Sequence, residues 1–208
     1  DENIKKFYLN ENKIVEEEWL GNWIAVRFHH GNFNSGSSYI DDFNCGLIED
    51  QYTSIPDTNF ENKLRYLGYD CDYHSPDGLV RTSIIETVEY LPIGSSNISD
   101  LTGIEAFTEL IDLKCGVNQI NDLNLSNNTS LSKLECYMNN ITELNLSNNT
   151  NLIELSCFNN LLSCLNIKNG NNDNILKINS SNNSNLNCIE VDDTTHSTAN
   201  WVGSNFNI

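Results

Sequence analysis

The sequence predicts a mainly β solenoid. Three observations predict it: a repeat spaced at 21 residues, an apolar-x-apolar triplet placed twice in each repeat, and one asparagine returning at the same point of every turn. A rod of stacked coils gives every copy of such a unit the same surroundings. Aligned from Leu110, Leu131 and Leu152, the columns continue as Leu113, Leu134, Leu155, then Cys115, Cys136, Cys157, then Asn118, Asn139, Asn160. Three more follow: Ile120, Ile141, Leu162; Leu123, Leu144, Leu165; and Leu125, Leu146, Ile167.

Each triplet is what a short strand with alternate residues inward looks like. One parallel sheet is expected from Leu113 to Cys115, Leu134 to Cys136 and Leu155 to Cys157. A second is expected from Leu123 to Leu125, Leu144 to Leu146 and Leu165 to Ile167, giving two short parallel strands per coil. A 22-residue precursor fits upstream through Val88, Leu91, Ile93, Ile98 and Leu101, and a degraded copy follows through Ile175, Ile178, Ser180 and Asn183. That makes roughly five coils. A single coil cannot offset the entropy of ordering its backbone, so the coils must stack and their ends need caps.

Asparagine makes up about a sixth of the chain, a bias that would suggest disorder were it not in register with the repeat. An inward Asn after the first strand can satisfy backbone groups that no ladder reaches, so Asn118, Asn139 and Asn160 are expected to form an internal ladder. The SNN triplets at Ser126 to Asn128 and Ser147 to Asn149 suit turns, because Asn tolerates the left-handed region.

These columns, written LxxLxCxxNxLxxLxLSNNTx, resemble the leucine-rich repeat family in its short 21-residue class with Cys at the third consensus position. They are similar to secreted and cell-surface proteins of Bacteroidetes, and the likeness covers Ser54 to about Trp201. The endings look similar too, in CLNIKNGNN at Cys164 to Asn172, NLNCIEVDD at Asn185 to Asp193 and ANW at Ala199 to Trp201. The resemblance implies a C-terminal sorting domain, which is not visible after Trp201, and implies partner binding on the outward side of the first strands. In that family the stretch IPDTNFExxLxxLGYD opens the repeat domain.

Ahead of the repeats, Thr58-Asn59-Phe60-Glu61 reads as a capping box, Phe60, Leu64 and Leu67 share a helical face, and Gly68 supplies the stop. The helix is expected to roof the first coil. Residues 1–52 show no repeat; Trp23 to Phe28 is strand-like, and the segment reads as a small β module or an extended cap. The expected organisation is therefore 1–52 as an N-terminal segment, 53–87 as a helical cap, 88–193 as repeats and 194–208 as a C-terminal cap or tail.

Lys+Arg total 11 against Asp+Glu 29, a formal charge of -18, which repels a polyanion and excludes nucleic acid as a partner. No run of apolar residues reaches membrane-spanning length, and Asp1 is followed by neither a basic nor an apolar leader region, so any export signal is expected to have been removed.

The seven cysteines divide by column. Cys115, Cys136 and Cys157 are expected as reduced inward residues of the spine. Cys164 takes the outward column of Asp122 and Glu143, and Cys188 returns to nearly the same angular position one coil later, which suits a disulfide. Cys45 and Cys71 are the candidates for a second bridge. Bridges imply an oxidising, secreted or cell-surface setting.

Chemistry is sparse. Asp70, Asp72 and Asp77 are spaced like calcium ligands, but the glycine comes late, Pro76 intrudes and Arg81 stands where a bidentate Glu is required, so a polar turn is the stronger reading and no cofactor is expected. His29-His30 with Asp41-Asp42 is weak as a site, since adjacent strand residues point to opposite faces. No G-x-S-x-G, H-E-x-x-H, Walker loop or C-x-x-C is present, so no enzyme is expected; a catalytic unit in residues 1–52 would require a pocket lined by His29 and paired acids. The sequons at Asn127 and Asn148 are incidental in a bacterial surface protein.

The expected work is binding of a protein or surface ligand by the outward positions of the first sheet. Those carrying candidate contacts are Lys114, Lys133, Glu135, Tyr137, Met138, Glu154 and Phe158, with Tyr137, Met138 and Phe158 as an exposed apolar strip. The competing readings are glycan binding by Trp19, Trp23 or Trp201 with the outward column Asn124, Asn145 and Asn166, and a structural spacer.

Overall fold

The computed structural model describes residues 4–8, 13–19, 24–30, 51–70, 76–201 and 206–207, the first three and the last of these segments by backbone alone. The chain divides into two compact units. The first holds β1 (Ile4–Tyr8), β2 (Lys13–Trp19) and β3 (Ile24–His30), an antiparallel meander in which Phe7 lies opposite Val15 and Val15 opposite Phe28.

The second unit opens with β4 (Tyr52–Ser54), which pairs antiparallel with β5 (Leu79–Arg81). Between them runs α1 (Thr58–Tyr66), with Phe60 and Leu64 fully buried and the Phe60 ring 6.3 Å from Phe107. Its cap differs from the expected box. Thr58 is the first helical residue and the cap is Asp57, whose Oδ1 accepts the Asn59 and Phe60 N–H groups while Oδ2 accepts from Ser99 N–H, the Ser99 hydroxyl and Asp100 N–H. A carboxylate with two oxygens can serve the helix and the first coil at once, which a threonine hydroxyl cannot. Glu61 does not turn back to the cap. It is buried, and its two oxygens accept Asp77 N–H at 2.8 Å and Gly78 N–H at 3.0 Å, fastening the return loop to the helix. The helix stops at Gly68, φ +81°, where Tyr69 N–H donates to Leu64 C=O and Gly68 N–H to Arg65 C=O, the paired bonds of a Schellman closure.

After a single turn, α2 (Thr82–Ile85), comes β6 (Tyr90–Pro92), the first of a regular series. β7 (Asp112–Lys114), β8 (Lys133–Glu135), β9 (Glu143–Asn145), β10 (Glu154–Ser156), β11 (Cys164–Asn166), β12 (Lys177–Asn179) and β13 (Cys188–Glu190) follow, then α3 (Thr194–Asn200) and β14 (Phe206–Asn207). β6, β7, β8, β10, β12 and β14 form one six-stranded parallel sheet in that order; β9, β11 and β13 form a second, three-stranded one. In the first sheet Leu91, Leu113, Leu134, Leu155 and Ile178 lie side by side in register, all buried, and together with Cys115, Cys136 and Cys157 make the interior seam. This is a mainly β solenoid of about five turns with parallel strands, as the repeat columns predict.

The strands begin one residue before the expected triplets, with the inward leucine at their centre. Leu123 to Leu125 is not a strand, although Leu123 and Leu125 remain inward and buried. In the preceding coil, too, Gly103 in the left-handed region and a 3-10 turn over Ile104–Ala106 stand in place of a strand. The second sheet therefore starts one coil late.

Candidate functional site

The surface of the first sheet is presented by a frame of asparagines. Asn139 Oδ1 accepts Ile120 N–H at 3.0 Å, and its amide donates to Cys115 C=O in the previous coil and Cys136 C=O in its own at 3.1 and 3.0 Å. Asn160 repeats this with Ile141, Cys136 and Cys157, and Asn183 with Leu162, Cys157 and Ser180. Asn118 accepts from both Ser96 and Ile98 N–H groups and donates to Ile93 and Cys115 carbonyls. Each asparagine thus ties its coil to the one before.

Left-handed backbone does recur along the coils, beginning with Ser95 and Asn97, but not in the SNN triplets at Ser126 to Asn128 and Ser147 to Asn149. From the second coil on it falls on the residue ahead of each ladder asparagine: Val117, Met138, Asn159 and Asn182, with φ between 53° and 59°. The last Asn of each SNN triplet has a different duty. Asn128 and Asn149 are completely buried, Asn128 donating to Ile104 and Phe107 carbonyls and Asn149 to those of Leu125 and Asn128. This second ladder was legible in the spacing. Asn128 follows inward Leu125 by three residues, as Asn118 follows Cys115.

Outward, the first sheet carries three columns. Tyr90, Asp112, Lys133, Glu154 and Lys177 form the first, alternating in sign from Asp112 onward. Lys133 Nζ is 3.0 Å from Glu154, and in the second column Lys114 Nζ is 3.4 Å from Glu135 and 5.7 Å above the Tyr90 ring. Glu135 raises the Lys114 ammonium above its ordinary value, the hydrogen bond to Glu154 does the same for Lys133, and partial burial raises Asp112 against the pull of Lys114. Lys114 and Glu135, and Lys133 and Glu154, are thus already engaged with one another.

The third column holds Gly116, Tyr137 and Phe158. The Tyr137 and Phe158 rings stack with centroids 4.8 Å apart and planes 3° from parallel. Both are half-buried rather than exposed, because each ring covers its neighbour; Met138 beside them is 48% exposed. A Cβ at Gly116 would meet the Tyr137 ring at 2.8 Å, so the glycine leaves the space that ring occupies. Lys114, Lys133, Glu135, Tyr137, Glu154 and Phe158 thus share one face of one sheet, with Met138 at its edge.

The other candidates are dispersed. Asp70 pairs with Arg65 at 3.4 Å and Asp77 accepts Leu79 N–H within its own turn, while Asp72 and Cys71 lie outside the described residues, as does Cys45. Asp41 and Asp42 also lie outside them; His29 and His30 fall on β3, described by backbone alone. Asn124, Asn145 and Asn166 each accept, through Oδ1, the N–H two residues on, so their oxygens are spent on their own turns. Trp201 is buried at the end of the core. Cys164 and Cys188 face each other in register, Cα atoms 4.5 Å apart, and are disulfide-bonded; Cys115, Cys136 and Cys157 are free thiols, buried. Burial pushes Cys115 and Cys157 up to about 12 and Cys136 well above its ordinary value.

No family model and no curated protein matches the chain. Among solved structures it is similar to the functional domain of InlJ from Listeria monocytogenes, described as including a cysteine ladder, at 24% identity over 70% of this chain and 39% of that one, TM-score 0.46. It is also similar to the internalin InlF of strain 4b F2365, at 26% identity over 66% of this chain and 43% of that one, TM-score 0.48. Internalin C2 of that strain is 21% identical over 69% of this chain and 79% of that one, TM-score 0.45. The chain spans about two fifths of the length of the first two.

Proposed function

We propose that the chain is a secreted or cell-surface binding module of the short 21-residue leucine-rich repeat class, akin to Bacteroidetes surface proteins, that engages a protein ligand through the outward face of its six-stranded sheet. One observation carries the reading: Tyr137 and Phe158 stand stacked on that face although the interior is already filled by the leucine and cysteine columns. A paired aromatic platform is the kind of anchor that dominates protein interfaces, and Lys114, Glu135, Lys133 and Glu154 around it supply a charged rim in fixed geometry. The Cys164–Cys188 bridge supports an oxidising setting. No described helix is long and apolar enough to cross a membrane.

The glycan reading has less support, because the oxygens of Asn124, Asn145 and Asn166 are engaged and Trp201 is buried. The test is capture from surface extracts with the wild type, with Tyr137→Ala/Phe158→Ala, and with Asn145→Ala as a control on the other sheet. Loss of a specific partner with the aromatic pair alone supports the interface. Equal recovery by all three defeats it and leaves the spacer reading standing.

A further inference from the structure

The outward face of the second sheet holds chemistry that the binding reading does not use. Along β9, β11 and β13 the register aligns Glu143, Cys164 and Cys188 in one column and Asn145, Asn166 and Glu190 in the next. Leu165 points into the core and Ile189 packs against it, so Cys188 and Glu190, two residues apart, project to the same outer side. The two sulfurs and a Glu190 oxygen all lie within 4.8 Å of one another. Two thiolates and a carboxylate are a donor set for a borderline-soft divalent ion. Tetrahedral zinc, with Zn–S about 2.3 Å and Zn–O about 2.0–2.2 Å, needs its ligand atoms about 3.5–3.8 Å apart, which small side-chain rotations from this arrangement reach.

We propose that Cys164, Cys188 and Glu190 form a site for a soft divalent cation of the zinc class, closed while the two sulfurs are joined and opened by their reduction. The electron balance is simple. An external two-electron reductant, a phosphine with water or a dithiol, delivers two electrons and two protons to the sulfur–sulfur bond and is itself oxidised to the phosphine oxide or the disulfide. The ion then displaces the two thiol protons, so M²⁺ enters as 2 H⁺ leave, while a carboxylate oxygen of Glu190 supplies the third ligand. Three protein ligands leave the fourth position to water or to a donor from outside the chain.

The spine thiols do not compete. Cys115, Cys136 and Cys157 are walled in by leucines, held protonated by burial, and have no carboxylate among them in the seam. Glu143 beside Cys164 and the chain's net charge of -18 both favour a cation at the outer face. The site goes beyond the proposed binding function, and its test reads out separately from the test of the aromatic face.

The experiment titrates cobalt(II) into the 208-residue chain before and after phosphine reduction, reading thiolate-to-cobalt charge-transfer absorption and its bleaching by zinc. Expected is no such band in the oxidised chain and, after reduction, a band that Cys164→Ser/Cys188→Ser lowers by one equivalent; anything bound by Cys45 and Cys71 survives in that variant and subtracts out. Glu190→Gln, at an exposed position and with its fold checked by far-UV circular dichroism, should weaken the ion about tenfold or more, since loss of a direct ligand costs no less than loss of an outer-shell partner. The proposal is overturned by any of three results: no band in the reduced wild type, a band unchanged in the double serine variant, or an affinity unchanged by Glu190→Gln.

Discussion

Asn139→Ala tests the ladder most directly. The asparagine makes three bonds of good geometry, to Ile120 N–H, Cys115 C=O and Cys136 C=O. They are not equivalent. Cys115 C=O also accepts from Asn118 and Cys136 C=O from Asn160, so both carbonyls keep a partner in the variant. Ile120 N–H is left with none, inside a site from which water is excluded. One orphaned buried donor costs about 1–3 kcal/mol and two lost shared bonds about 0.5–1.5 kcal/mol each, so the variant should lose about 2–6 kcal/mol. Asn139→Asp sharpens the reasoning: it keeps the acceptor for Ile120 but sets an oxygen against two carbonyls, and should be no more stable than the alanine. Asn124→Ala, losing a single exposed bond within its own turn, is the control and should cost well under 1 kcal/mol. The assay is urea unfolding followed by far-UV circular dichroism. A loss below about 1 kcal/mol at Asn139, or an aspartate variant more stable than the alanine, would refute the claim that the ladder is held by its amide donors and its one unshared acceptor.

Two further outcomes follow from local geometry. Val117 is β-branched at φ +59°, where an L residue is strained by about 1–2 kcal/mol and Asn by less, so Val117→Asn should raise the melting temperature by about 2–4 °C; a fall would show that Val117's side-chain contacts outweigh the strain. Burial would raise Asp57, but the donors at Ser99, Phe60 and Asp100 outweigh it and hold the folded carboxyl below its ordinary value; its stabilisation is thus fully present above the unfolded value of about 3.9 and is lost as pH falls through the lower folded one. Asp57→Ala should therefore cost about 1–2 kcal/mol at pH 7 in urea titrations, and a gap that fails to narrow at strongly acid pH would contradict the assignment.

Periodicity was readable in the chain because a solenoid repeats its environment at fixed spacing. Leu113, Leu134 and Leu155 stand in one register for the same reason that they stand 21 residues apart. The outward and inward assignment of Cys164 against Cys157 followed from counting positions in the coil, and the strand-like stretch from Trp23 to Phe28 overlaps β3. The choice of Asp57 over Thr58 as cap was not readable, because Asp57 is selected by Ser99 and Asp100, about forty residues on. Nor was the late start of the second sheet at β9, since Leu123 to Leu125 carries the same apolar pattern as the later copies that do form strands.

The amino-acid order alone determined the coil, its seam and which residues face out, since these depend only on distance along the chain. What an outward residue then does was decided by tertiary structure. Tyr137 and Phe158 are half-buried because each covers the other across two strands, and the lysines and glutamates beside them are committed in pairs because parallel register brings opposite charges within reach. Such contacts join residues one repeat apart: the spacing sets them side by side, but the stacking of the rings and the pairing of the charges are settled by the side chains in three dimensions.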